Sequence, residues 1–455
     1  MPDVALAKSV AKEVLLLARK INKYFELIQS KISIESISIN RQTVIITTFA
    51  ANLSNDSCNM TQGERFHSID VLKGIMVLFM LFVTTLSLPD VLPFFSDSGS
   101  KTPNYDLSVW AISGFIFMFG MNVPFIITNK INNGLNSYEI SRTIISKSLI
   151  LITIGILMVN TQRVNADLTG FNSYIWSAVM FCAIFLVWVR YPNEENKFFT
   201  VTGLRFLGLA LLVFLIFKFR SGTFENGGTL ITGWWEVPAL LGWGYLIASF
   251  TYLAFRNSFA GSAVMCLLFL LLYIATKLGM IHFLDPFRPF IGPITGGYVP
   301  FVMLSGHLAS LILKKYSKNE FMKTLTGLAL YGSISLIVGI ILKQTLFRSQ
   351  EYFNPAISFI INGVIVFVFL LFHWLIDIKN HGPWFGFFKP AGENYLTAYL
   401  FPYLIFNLLW LCGIPVFFFR QSGASLINSL GSGVIAVLLM FLSTIIIKMN
   451  IRLKI

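Results

Sequence analysis

Charged residues are scarce in this sequence: Asp, Glu, Lys and Arg make up 12% of 455 residues, against about a quarter in soluble domains. This scarcity excludes an ordinary soluble domain and a disordered chain. The four cysteines lie far apart without a CxxC pair, which excludes a disulfide framework and gives no sign of a metal site. HExxH, GxSxG, P-loop and GxGxxG motifs are also absent. The sequence therefore lacks the usual signatures of zinc hydrolases, elbow-type serine hydrolases and nucleotide-driven transporters.

Apolar residues are what the sequence has in abundance. They make up 55% of the chain, including 45 Phe, and apolar runs of nearly twenty residues recur along it. These runs predict an all-α, polytopic transmembrane helical bundle of about 10–12 spans in contact with the lipid bilayer. Candidate spans lie near 70–88, 107–128, 142–160, 173–190, 201–218, 236–255, 260–280, 293–313, 322–342, 355–376, 393–413 and 425–447. The span at 293–313 contains Gly296, Gly297 and Pro300, a composition that favours a broken or re-entrant helix.

The basic residues predict the orientation of these spans. In the part of the chain from residue 60 onward, alternate loops carry 18 lysines and arginines on one side and 9 on the other. Because cytoplasmic loops are enriched in these residues, both ends of the core are predicted to lie in the cytoplasm, with the protein in the inner cell membrane. The same bias accounts for the net charge of +13, so nucleic-acid binding is not expected.

Residues 1–59 differ from the rest. The stretch from Ala5 to Gln29 is amphipathic, and a Ser/Ile/Thr/Asn-rich stretch follows it. We interpret 1–59 as an N-terminal extension, amphipathic or untranslated, with Met60 as an alternative start, and 60–455 as the membrane domain.

Several polar residues interrupt the apolar runs. Asp70 and Lys73 share a helical face at the start of the first span, where they can form an ion pair or bind the phosphates of an acyl donor. His307 lies deep in an apolar run, as a hydrogen-bonded core residue or a functional one. His373 and Asp377 are four residues apart and are expected to form a solvated cap.

Two segments combine glycine with aromatic residues. One runs from Trp234 to Leu246, and the other runs from Pro390 to Pro402. In the second segment Asn394 and Tyr399 are polar groups that need partners inside the bundle.

Together these segments resemble the heparan-alpha-glucosaminide N-acetyltransferase-like family, in its bacterial branch of unknown function. Its Ser-x-Asp-x-x-Arg-Gly entry to the first span is similar to Ser68, Asp70, Lys73 and Gly74, with Lys for Arg. Phe115 to Gly120 resembles the Phe-rich second span, and the two aromatic-glycine segments resemble two further motifs. The resemblance covers roughly residues 65–410.

The resemblance implies transfer of an acetyl group from cytoplasmic acetyl-CoA to an extracytoplasmic amino sugar or glycan, without a metal. It also implies a catalytic histidine in the outer loop after the first span. Asp70 and Lys73, on the opposite side, are expected to affect acyl-donor binding. Here that loop, residues 87–106, contains no histidine. Asp97 and Asp106 are therefore the candidate bases, with His307 as the fallback if its span bends towards the outer side.

Two other functions fit the sequence. One is a catalytically altered relative that binds a glycan or lipid-linked sugar without acyl transfer. The other is a secondary transporter, which an even number of spans and a broken helix would suit.

Overall fold

The computed structural model describes residues 66–87, 104–191, 198–222, 228–232, 236–316, 320–347, 354–416 and 425–453. All of them belong to one compact unit that spans Met60–Leu453. The predictions for residues 1–59 lie outside the described residues.

The described chain is built almost entirely of helices. Fourteen are labelled here in chain order: α1 His67–Ser87, α2 Asn104–Asn132, α3 Ser137–Asn160, α4 Ser173–Trp188, α5 Phe198–Lys218, α6 Val237–Phe255, α7 Phe259–Lys277, α8 Arg288–Thr295, α9 Tyr298–Lys315, α10 Phe321–Thr345, α11 Pro355–His373, α12 Lys389–Glu393, α13 Tyr395–Leu411 and α14 Ser425–Lys448. Shorter turns of helix lie at Thr161–Arg163, Ala166–Thr169, His282–Phe287, Trp374–Ile378 and Gly382–Phe385.

The predicted fold class is confirmed: the chain is an all-α, multi-pass membrane protein. Ten helical segments of the described residues are long and apolar enough to cross a membrane, and α4 and α13 are shorter apolar helices. Each of the twelve candidate spans therefore coincides with a helix.

Two of these spans are broken, each by residues that favour it. Between α8 and α9 the chain passes through Gly296 and Gly297, and the φ of Gly297 is +70°, a conformation that glycine adopts without strain. This break was predicted from the sequence. Between α12 and α13 the chain turns at Asn394, whose φ of −117° and ψ of 46° are not helical.

Small residues let the central helices approach closely. A side chain at Gly306 of α9 would collide with the carbonyl oxygen of Phe117 in α2, and one at Gly120 would collide with that of Met303. In membranes, where lipid is as apolar as leucine, such close backbone packing is a main source of helix association.

The outer helices of the bundle present large apolar side chains. Val264, Leu267 and Leu271 of α7 are each more than half exposed, and α5, α10 and α14 carry similar rows. These rows suit contact with lipid tails and form the surface that a bilayer would cover.

The helix ends gather at two ends of the bundle. The first, the His67 end, holds the start of α1 at His67, the start of α12, and the ends of α2, α6, α9 and α11. The final described residues return to it, since the Leu453 N–H donates to Thr397 Oγ1 at 2.8 Å. The opposite end, the Glu236 end, holds the start of α6 at Glu236 and the end of α1.

Candidate functional site

Asp70 and Lys73 form a buried ion pair at the His67 end. Lys73 Nζ lies 2.8 Å from Asp70 Oδ1, and each side chain is only 4% exposed. The predicted pairing at three residues' spacing is confirmed. Because its charge is neutralised within the fold, Lys73 would have to leave this pair to bind a phosphate.

This ion pair lies against the second aromatic-glycine segment. A side chain at Gly392 of α12 would collide with the carbonyl oxygen of Asp70, and a side chain at Gly74 would collide with the carbonyl oxygen of Phe388. Two segments that are more than 300 residues apart in the sequence thus meet with their backbones in contact.

Asp377 connects the same region to α11. Its Oδ1 accepts a hydrogen bond from the His67 backbone N–H at 3.0 Å, and its Oδ2 lies 2.8 Å from His373 Nδ1. The expectation of a solvated His373–Asp377 cap was wrong, because the side chains are 4% and 8% exposed and the imidazole stacks on Phe369. The packing of α11 against α1 buries a pair that i, i+4 spacing alone would leave on the surface.

A second buried carboxyl, Glu236, lies at the opposite end of the bundle. It precedes the first residue of α6 and is 8% exposed. Burial raises the pKa of its carboxyl from the ordinary 4.5 to about 7, and a hydrogen bond from the Val237 N–H opposes part of that rise. Within the described part of the chain, no lysine or arginine contributes to the shift.

Two tyrosine hydroxyl groups lie near Glu236. The Tyr399 and Tyr403 side chains of α13 lie close enough to its carboxyl to interact electrostatically, and their hydroxyl oxygens are 3.2 Å apart. Thr84 of α1 forms a hydrogen bond with Tyr403. The carboxyl therefore faces a set of neutral hydroxyls that can donate, accept or pass on a proton.

A small void adjoins these groups. Thr84, Ser108, Val237 and Tyr399 are among the residues that line it. It has room for about one water molecule, so an acceptor sugar could enter only if the helices moved apart. We call Glu236, Thr84, Ser108, Tyr399 and Tyr403 the Glu236 site.

His307 belongs to neither end. It lies near the middle of α9, fully buried, with Nε2 3.2 Å from Ser262 Oγ and its ring 5.5 Å from that of Tyr252. The break at Gly297 does not carry His307 to the Glu236 site, which is formed by α1, α2, α6 and α13.

The remaining candidates have different positions. Asp97 lies outside the described residues, and Asp106 lies in the first turn of α2 with its side chain outside them. Asn394 bonds locally, donating from Nδ2 to the Pro390 carbonyl oxygen at 3.1 Å. Tyr399 joins the Glu236 site.

Sequence reasoning missed Glu236 as a functional residue, because it was read as the edge of a span. The available signal was a lone carboxylate between a Trp pair and Pro238, at the start of an apolar run. A carboxylate at that position is costly to bury and is therefore a candidate for function.

No protein-family model matches the sequence, and no curated protein matches it.

Proposed function

We propose that the protein is a membrane-embedded acyltransferase that moves an acetyl group from acetyl-CoA at the His67 end to an amino sugar at the Glu236 end. The observation that carries the proposal is Glu236, a buried carboxyl with a pKa of about 7 that interacts electrostatically with Tyr399 and Tyr403. A general base works best when its pKa is close to the working pH.

Two helices connect the ends. Helix α1 carries Asp70 and Lys73 in its first turns and Thr84 in its last, and α13 carries Tyr399 and Tyr403 beyond the Gly392 contact. Lys73 and Thr84 are eleven residues apart, so the acyl group would travel roughly 16 Å along α1, at about 1.5 Å per residue. The extended arm of coenzyme A is the part of the donor suited to reach into the bundle.

The chemistry would proceed by attack of the amine nitrogen on the thioester carbonyl. A C–N bond forms, the C–S bond breaks, and the thiolate of coenzyme A leaves. Glu236, in its ionised form, accepts the proton that the nitrogen loses, and the thiolate takes up a proton to become the thiol. Tyr399 and Tyr403, whose hydroxyl oxygens are 3.2 Å apart, would then pass that proton on from Glu236.

The His67 end offers groups for the donor. Lys389 begins α12 beside the Asp70–Lys73 pair, and Lys379 is exposed nearby in the chain, after Asp377. These cations can meet the phosphates of acetyl-CoA without breaking the buried pair.

Incubating the purified protein in detergent with labelled acetyl-CoA and a panel of amino sugars tests the proposal. We expect an N-acetylated product from the parent and a fall of at least ~100-fold in Glu236→Gln, the usual contribution of a positioned base. Asp97→Asn and Asp106→Asn are assayed in parallel with Glu236→Gln, because the sequence predicted these two carboxylates as bases. If either of them abolishes transfer while Glu236→Gln does not, the base lies in the outer loop.

A secondary transporter is a second candidate, and the two broken spans favour it. Transporters often bind their substrates at the breaks of discontinuous helices, and here α8–α9 and α12–α13 are interrupted. Counterflow of a labelled amino sugar in vesicles, without acetylation, would support this function over acyl transfer.

A further inference from the structure

A column of buried and partly buried polar groups follows α9 between the two ends of the bundle. Tyr298, Ser305, His307 and Lys314 are its members on α9. The hydroxyl oxygen of Tyr298 lies 2.7 Å from that of Ser113 in α2, and Ser305 Oγ lies 3.7 Å from Cys266 Sγ in α7. His307 Nε2 lies 3.2 Å from Ser262 Oγ in α7. Lys314 Nζ donates to the hydroxyls of Tyr252 in α6 and Thr128 in α2, each at 2.7 Å.

Hydrogen bonds of this kind can simply hold membrane helices together. In that case each buried member would have its donors and acceptors satisfied. His307 does not fit, since its Nδ1 has no hydrogen-bond partner among the described residues although His307 is 0% exposed. Both amide atoms of Asn362 in α11, which is 1% exposed, likewise have no partner in the described part of the chain. Asn362 lies one helical turn from Ser358, whose Oγ is 3.5 Å from the hydroxyl oxygen of Tyr273. The Tyr273 ring in turn packs 5.7 Å from that of Tyr298.

Unsatisfied buried polar groups are normally completed by ordered water. We propose that water at His307 and Asn362 completes the column and makes it a proton path between the two ends of the bundle, with His307 as the relay. A neutral imidazole accepts a proton on one nitrogen and releases a proton from the other, so the ring is neutral again after each transfer. This function is independent of acyl transfer.

The groups around His307 support relay. Ser262 faces it from α7 with a hydroxyl group that can hand on a proton, and the Tyr252 ring packs against it from α6. The nearest cation along the column is Lys314, two helical turns away, whose three N–H groups donate to Thr128, Tyr252 and Asn257. A proton can pass through this ammonium by exchange, whereas its charge opposes metal cations.

Purified parent protein in sealed vesicles, loaded with a pH-sensitive dye and given a potassium diffusion potential, tests the path. We expect an imposed pH gradient to decay roughly tenfold faster than in protein-free vesicles, and His307→Gln to remove that increase because an amide cannot relay as an imidazole does. Decay in the parent at the protein-free rate would overturn the proposal.

Asn362→Leu separates a proton path from a structural role. It removes an unbonded buried amide, so we expect it to keep or raise thermal stability while it slows proton flow. The matched control is Asn407→Leu, because Asn407 is also buried but donates to the Tyr403 carbonyl oxygen at 2.7 Å. That control should lose stability and keep the proton flow of the parent. If Asn362→Leu conducts as well as the parent, Asn362 is not in the path and the column proposal is wrong.

Discussion

The two buried carboxyls at opposite ends of the bundle differ in what surrounds them. Asp70 is 3% exposed and has the Lys73 ammonium 2.8 Å away. Glu236 is 8% exposed and has hydroxyl groups and a backbone N–H around it. A cation beside a buried carboxylate keeps it charged, whereas burial without a cation favours the neutral acid. We therefore regard Asp70 as a fixed charge that secures the α1–α12 contact, and Glu236 as a group that exchanges its proton.

The largest expected effect is the loss of stability when the carboxylate of Asp70 is removed. Asp70→Ala leaves the Lys73 ammonium buried without its carboxylate, and such a loss costs about 3–5 kcal/mol. Thermal unfolding in detergent should therefore shift strongly to lower temperature.

The matched control for Asp70→Ala is Glu320→Ala. Glu320 pairs with Lys323 at the same three-residue spacing and 2.9 Å, but those side chains are 44% and 63% exposed. Solvent screens that pair, and no measurable change is expected. Equal effects of the two substitutions would show that burial does not distinguish them.

The pH dependence of stability should reveal the Glu236 carboxyl. Its pKa is about 7 in the folded state against 4.5 ordinarily, so between these values the folded state binds the proton that the unfolded state has lost. The free energy of unfolding should consequently fall as pH rises from about 4.5 to about 7, by ~3 kcal/mol at most.

Unfolding curves of the parent and of Glu236→Gln across that pH range give the measurement. The variant cannot ionise at this position, so its curve should lack this slope. Parallel curves would mean that Glu236 titrates normally.

A smaller loss is expected from widening the α1–α12 contact. Gly392→Ala places a methyl group against the Asp70 carbonyl oxygen, and overpacking of this kind costs typically ~1–3 kcal/mol. Gly203→Ala in α5 is the control, because the space around Gly203 is open and alanine favours a helix. Unfolding temperatures of the two variants should therefore move in opposite directions, and a stable Gly392→Ala protein would contradict the close approach.

The last prediction concerns which end of the bundle faces the cytoplasm. In a cysteine-free background, Asp167→Cys and Lys379→Cys should leave the fold unchanged, since both positions are exposed. The basic-residue bias predicts that an impermeant thiol reagent labels position 167 from outside intact cells and labels position 379 only after lysis. The reverse pattern would place the His67 end outside.

Local features of this protein were predictable from the sequence. The apolar runs predicted the helices, Gly296 and Gly297 predicted the break before α9, and the spacing of Asp70 and Lys73 predicted their pair. Each depends on residues within a few turns of one another, where helical geometry fixes the distance.

The site itself was less predictable, because it depends on which helices are neighbours. Nothing in the sequence shows that Gly392 touches Asp70, that α11 buries His373, or that Glu236 faces Tyr403 across more than 160 residues. All three depend on contacts between helices that are far apart in the sequence.

The most direct test of the two-ended account is a sided transfer assay in sealed vesicles. With labelled acetyl-CoA trapped inside and the amino sugar outside, we expect labelled N-acetyl sugar in the outer medium. With both substrates on the same side of the same vesicles, we expect none, whichever way the protein is inserted. Product formed equally well with both substrates on one side would contradict the assignment of donor and acceptor to opposite ends.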